Sequence, residues 1–124
     1  MRLNVGIPLL GLFAAAVAVV VTGPWPTHDE REYAQLSKVA THTVLRRMSA
    51  IKPEPISRCL ENLPPSMLNL TRLQAGPAIT LANPVQHTLI TISEVRGRAQ
   101  LVVHRPPGRS LRSLHRQALI SCSP

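Results

Sequence analysis

Eighteen residues without a charge run from Val5 to Thr22 (Val-Gly-Ile-Pro-Leu-Leu-Gly-Leu-Phe-Ala-Ala-Ala-Val-Ala-Val-Val-Val-Thr), and only Arg2 precedes them as a cation. As a helix this stretch rises ~27 Å, close to the ~30 Å of a bilayer's hydrocarbon core. Gly23-Pro24-Trp25-Pro26 then ends any helix, because each proline pushes its predecessor out of the α region. Two readings are open. A retained anchor has its N-terminus in the cytoplasm, marked by Arg2, with Trp25 at the far interface. A cleaved signal uses the small residues of Ala16-Val17-Ala18 as its processing site. The retained anchor is preferred. It makes the chain a single-pass membrane protein with a periplasmic or extracellular C-terminal domain, whereas cleavage makes it a secreted one. The expected division is 1–22 membrane anchor or signal segment, 23–26 proline-rich linker and 27–124 extracytoplasmic domain.

What remains is about 100 residues, one small domain. Phe13, Trp25 and Tyr33 are the only aromatic residues, so Leu, Ile, Val, Ala and Met must build the core. Twelve of the 124 residues are proline, well above the usual ~5%, which favours short elements. A core this thin gains from a staple, and Cys59 and Cys122 are the only candidates. Outside the cytoplasm such a pair is expected to form a structural disulfide; two free buried thiols are the alternative. No Cys-x-x-Cys supports redox chemistry.

After Pro26 the pattern of a helix start is clear. Thr27 and Glu30 have capping-box spacing, and Asp29, Glu30 and Glu32 suit the positive end of the helix dipole. Tyr33, Leu36, Ala40, Val44, Met48 and Ile51 recur every three or four residues, which predicts one amphipathic helix of roughly 22 residues. Pro55 can open a short helix with Ile56, Cys59, Leu60 and Leu63 on one side, and Met67 to Leu73 reads as another turn or two.

From Ala78 the period shortens. Ala78–Leu81 reads as a strand, and Val85–Val95 and Arg98–His104 form a hairpin about Arg96-Gly97. A two-residue loop there sets Ile90 opposite Val103 and Ile92 opposite Leu101. Thr91, Ser93, Gln100 and Val102 fall on the other face. Leu114–Cys122 is ambiguous and is read as a final strand. The expected fold is α+β: an N-terminal transmembrane helix, then an amphipathic helix and short helices on a small antiparallel sheet of three to four strands, in two layers.

The formal net charge is +8, and the last 29 residues hold Arg96, Arg98, Arg105, Arg109, Arg112 and Arg116 with no acid among them. Arg105, Arg109, Arg112 and Arg116 are therefore the candidate anion-binding residues, with forks suited to bidentate recognition of phosphate. The five histidines lack metal-ligand spacing. The hairpin register puts His104 opposite Leu89, with His87 diagonal to it. Glu54, Glu61 and Glu94 look isolated, and no serine sits in a Gly-x-Ser-x-Gly elbow. No enzyme, metal or cofactor is expected.

The element order, an apolar helix, an amphipathic helix, an antiparallel sheet and a disulfide near the C-terminus, resembles the layout of type IV pilins and pseudopilins. The resemblance is one of architecture. Gly6 is followed by Ile7 where those proteins place Phe, no Glu lies within the apolar run, and Gly23-Pro24-Trp25-Pro26 interrupts the long helix. The expectation is a membrane-anchored accessory or interaction protein of a cell envelope, a small subunit in a secretion, conjugation or pilus-related assembly with other envelope proteins as partners and the membrane engaged through residues 5–22. The alternative is a binder of anionic polymers or lipid headgroups (DNA, glycolipid, a phospholipid surface) through the arginine-rich C-terminal region.

Overall fold

The computed structural model describes residues 25–124, so the apolar segment 1–22 lies outside the described residues. Among the described residues no helix is long and apolar enough to cross a membrane. The element order is α1 (His28–Val39), β1 (His42–Ser49), α2 (Pro53–Glu61), β2 (Thr71–Leu73), β3 (Ile79–Asn83), β4 (Thr88–Val95), β5 (Arg98–Arg105) and α3 (Ser113–Cys122). The fold is α+β, with three helices and one five-stranded antiparallel sheet ordered β1-β5-β4-β3-β2 among the described residues.

The β4–β5 hairpin has the register the sequence dictates: Ile90 pairs with Val103, Ile92 with Leu101, Thr91 with Val102 and Ser93 with Gln100. Its turn works because Arg96 and Gly97 both take positive φ, 55° and 78°, as a two-residue type I′ connection requires. Adjacent strand residues point to opposite faces, and both faces here are apolar. One face carries Leu81, Ile90, Ile92, Leu101 and Val103, packed with Ile56 and Leu60 of α2 and Leu119 and Cys122 of α3. The other carries Ala82, Leu89 and Leu73, covered by Leu36, Ala40 and Tyr33 of the α1 segment. The expected two layers are therefore three, with helices on both sides of the sheet.

Three local expectations are corrected. The capping box forms, with Glu30 N donating to Thr27 Oγ1 (3.1 Å) and Thr27 N to Glu30 Oε1 (2.9 Å). The helix it starts, however, stops at Val39, and His42–Ser49 is strand β1. Thr41, Thr43 and Val44 are β-branched, and pairing with β5 satisfies the strand's backbone more fully than a lone exposed helix would. The segment read as helical near Met67–Leu73 ends in strand β2, which pairs with β3. The last element, read as a strand, is the helix α3.

The disulfide closes between Cys59 of α2 and Cys122 of α3, 63 positions apart, with Cα atoms 5.6 Å from each other. Such a bond is characteristic of oxidising, extracytoplasmic compartments. The chain end is latched beside it: Arg47 Nε and Nη2 donate to the Ser123 carbonyl (3.1 and 3.0 Å), and Ser49 Oγ donates to the Pro124 carbonyl (2.8 Å).

Candidate anion-binding pole

The sheet has two distinct ends. At one, the chain enters at Trp25 and α1 starts. Gln74 N there donates to Asp29 Oδ2 (2.8 Å), and the β4–β5 turn lies at the same end, since Ile79 at the start of β3 pairs with Ile92 near the end of β4. At the other lie the start of β1, where His42 pairs with Arg105, the Asn83–His87 turn, and the loop from Arg105 to Arg112 that leads into α3.

That loop is fixed by its own sequence. Pro107 presets φ and Gly108 takes a φ of 78°, and Arg109 N donates to the Pro106 carbonyl (3.1 Å), closing a tight turn. Arg105 braces it. One Nη donates to the Ser110 carbonyl and the other to the Gln86 carbonyl (3.2 Å), which joins the loop to the Asn83–His87 turn. Its Nε is the one buried side-chain nitrogen or oxygen without a partner among the described residues. Arg116, half-buried, donates from Nη2 to the Val44 carbonyl (3.3 Å) at the irregularity between Thr43 and Leu45 in β1. Of the four arginines singled out in the sequence, Arg105 and Arg116 thus hold the backbone together, whereas Arg109 and Arg112 are exposed. Beside Arg109 an open groove of about 290 Å³ runs between His42–Val44 and Pro106–Ser110.

The local field is positive. Burial, then Arg109, lowers the Arg105 pKa. Burial, then Arg112 and Arg105, lowers that of His115, and burial, then Arg46, lowers that of His104. Arg112 also occupies the N-cap of α3, whose first turn holds no acid, so a cation sits where the helix dipole favours an anion. Among the described residues no carboxylate lies within ion-pair distance of Arg105, Arg109, Arg112 or Arg116.

The carboxylates gather elsewhere. Asp29 and Glu30 lie in the first turn of α1, Glu54 lies in the first turn of α2, and Glu94 pairs with Lys52 at 3.2 Å. Glu32, midway along α1, lies 3.2 Å from His28 and lines a groove with Pro84 and His87 of the Asn83–His87 turn. Glu54 and Glu61, isolated in sequence terms, converge on Arg72. Arg72 Nη2 donates to Glu61 Oε2 (2.6 Å), Ser57 Oγ (2.7 Å) and Glu54 Oε2 (2.9 Å), and Ser57 Oγ donates to Glu61 Oε2 (2.6 Å). The Arg72 hydrogen bond holds the Glu54 pKa below the usual carboxylate value. For Glu61 burial acts upward, but the Ser57 and Arg72 hydrogen bonds outweigh it and the net shift is also down. Two carboxylates kept ionised by the shared Arg72 guanidinium, with Arg58 3.5 Å from Glu54 adding to the effect, form a clamp between α2 and β2, with no proton to give near neutrality. Their seven-residue spacing on α2 was visible in the sequence; the arginine from β2 that joins them was not.

The histidines divide too. His87 sits in its turn at a φ of 51°, lining a groove with Glu32, Leu36 and Val39, while His104 lines another with Tyr33, Ser37 and Thr91. The diagonal pair suggested by the hairpin register therefore faces two separate grooves.

A pH dependence follows from His104 and His115, whose folded pKa values lie below the ordinary 6.5. The unfolded chain takes up protons first as pH falls through 6.5, so stability is full above that value and declines below it. Denaturant midpoints at pH 7.5 and 5.5 should differ in that direction, and His115→Gln should flatten the difference.

No family model, no curated protein and no solved structure matches this chain.

Proposed function

We propose that residues 27–124 form a non-enzymatic binding module, held outside the cytoplasm at the surface of a membrane, that receives a polyanionic chain on its arginine-rich pole. The observation that carries this reading is the separation of charge. Among the described residues the arginines at one end of the sheet have no carboxylate within ion-pair distance, while Glu54 and Glu61 are taken up by Arg72 and Glu94 by Lys52. Arg109 and Arg112 supply free forks, the groove beside Arg109 gives a flexible backbone somewhere to lie, and Arg105 and Arg116 keep the loop in place. Sequence-specific reading of nucleic acid is not part of the proposal, since Trp25 and Tyr33 are the only aromatic residues in the described part and neither belongs to the pole.

The test is fluorescence anisotropy of a labelled single-stranded DNA oligonucleotide, used as a generic polyphosphate, against the full-length protein in neutral detergent. Joint replacement Arg109→Ala and Arg112→Ala should weaken binding about 10- to 100-fold and cut the log–log salt slope by about 1 to 2. The equal charge loss Arg31→Gln with Arg98→Gln, at the opposite end, should change affinity about twofold or less through long-range field alone. Equal losses from both pairs would reduce the effect to net charge and defeat the reading.

A protein partner within an envelope assembly is the second reading, and the edge strand β1 favours it, with its eight residues and exposed Arg46 and Met48. Strand addition there should be nearly insensitive to ionic strength, which separates it from the first reading.

A further inference from the structure

We infer that the polyanion received by this pole is a free chain standing clear of the bilayer, and not the headgroups of the membrane that holds the N-terminal segment. The inference rests on the binding reading given above and adds where the ligand comes from. Trp25, 78% exposed, enters beside the first turn of α1. That helix runs from the entry end toward the far end and, through Ala40 and Thr41, delivers the chain to His42, which pairs with Arg105 there. Twelve helical residues span ~18 Å and the eight residues of β5 ~27 Å, so the pole lies roughly 25 Å from the entry point, about three Debye lengths at physiological ionic strength. The linker of four residues, 23–26, reaches at most ~14 Å. A tether that short keeps the entry end next to the lipid.

The charge of the entry end points the same way. Its exposed cations Arg31, Lys52, Arg96 and Arg98 share that end with Asp29, Glu30 and Glu94, and Lys52 pairs with Glu94 at 3.2 Å. Acids therefore lie among the cations of the entry end, whereas Arg105, Arg109, Arg112 and Arg116 at the pole have no carboxylate within ion-pair distance among the described residues. A chain evolved to lie on an anionic bilayer would carry its acid-free arginine cluster next to the anchor.

The experiment uses the full-length chain in nanodiscs of phosphatidylcholine alone and of phosphatidylcholine mixed with phosphatidylglycerol. The labelled oligonucleotide stays in solution and physiological salt is used throughout. The expected result is binding in both discs with affinities within about threefold, the residual difference reflecting repulsion screened over the pole's distance from the lipid. Binding in the neutral disc that falls tenfold or more in the anionic disc would place the pole on the headgroups and overturn this inference while leaving the binding reading intact. Binding in neither disc, or binding that Arg109→Ala with Arg112→Ala does not weaken, would overturn the binding reading itself. Failure of the chain to enter either disc would remove the tether and with it the inference.

Discussion

Opening the Cys59–Cys122 bond, by reduction or by replacing both residues with Ser, is expected to cost the domain about 4 kcal/mol. The bond spans 63 positions, and chain-entropy arithmetic for a loop of that size gives roughly that figure. A domain of this length has only ~5–15 kcal/mol in total, so the change should lower the melting temperature by roughly 15–30 °C. The location strengthens the expectation. Cys59 and Cys122 join the two helices that cover one face of the sheet, and Leu60 and Leu119 beside them are almost fully buried. Cys59 is exposed while Cys122 is 5% exposed, so a small thiol should open the bond in the native protein without denaturant. Differential scanning calorimetry with and without reductant measures the loss. A shift of only a few degrees would mean that the packing of α2 on α3 holds the face without the covalent tie.

The second large effect is expected at Arg72. Its side chain is 27% exposed, with Glu61 at 30% and Glu54 at 44%, so the cluster lies between a surface pair worth ~0–1 kcal/mol and a buried one whose disruption costs ~3–5. Arg72→Met should therefore lose about 2 kcal/mol at neutral pH, leaving two carboxylates seven residues apart on α2 without their shared cation. Arg72→Met together with Glu61→Gln should recover part of the loss, since one of the stranded charges is then gone. The pH profile identifies the cause. Glu54 and Glu61 have folded pKa values below the ordinary 4.5, so their contribution is complete above that value and fades as pH falls below it. Urea midpoints between pH 7 and 3 should show that decline in the native protein and a shallower one in Arg72→Met. Parallel profiles would assign the loss to packing of the arginine stem.

Both effects arise from partners distant in sequence, and the same division separates what could be read from the residues from what could not. The β4–β5 hairpin was legible because its information is local: Arg96-Gly97 sets the turn, and a period of two then fixes every pair as far as Leu89 and His104. The capping box at Thr27 and Glu30 was legible for the same reason. The end of α1 was not. From Ala40 to Ile51 the apolar residues satisfy a helical period, and the choice of strand depends on β5, more than fifty residues later in the chain, which offers an edge for His42–Ser49 to complete. The last element suffered the opposite error. Ala118, Ile120 and Cys122 alternate like a strand, but with β1 already occupying the edge beside β5 the remaining apolar face needed a cover, and α3 provides it.

The arginines were visible from composition alone, and an acid-free C-terminal stretch already marked them as candidates. Their unequal roles were not visible. Arg105 and Arg116 spend their donors on the carbonyls of Gln86, Ser110 and Val44, which only the folded chain brings near, while Arg109 and Arg112 remain free. Sequence by itself determined the sign of the charge, the hairpin and the pair of cysteines, because each depends on residue type or on neighbours a few positions away. Tertiary structure alone decided that Asp29, Glu30 and Glu94 would lie near the entry of the chain and that Arg105, Arg109, Arg112 and Arg116 would share the far end of the sheet without a carboxylate in ion-pair reach among the described residues. That arrangement is set by strand order and helix direction, and no local pattern encodes either.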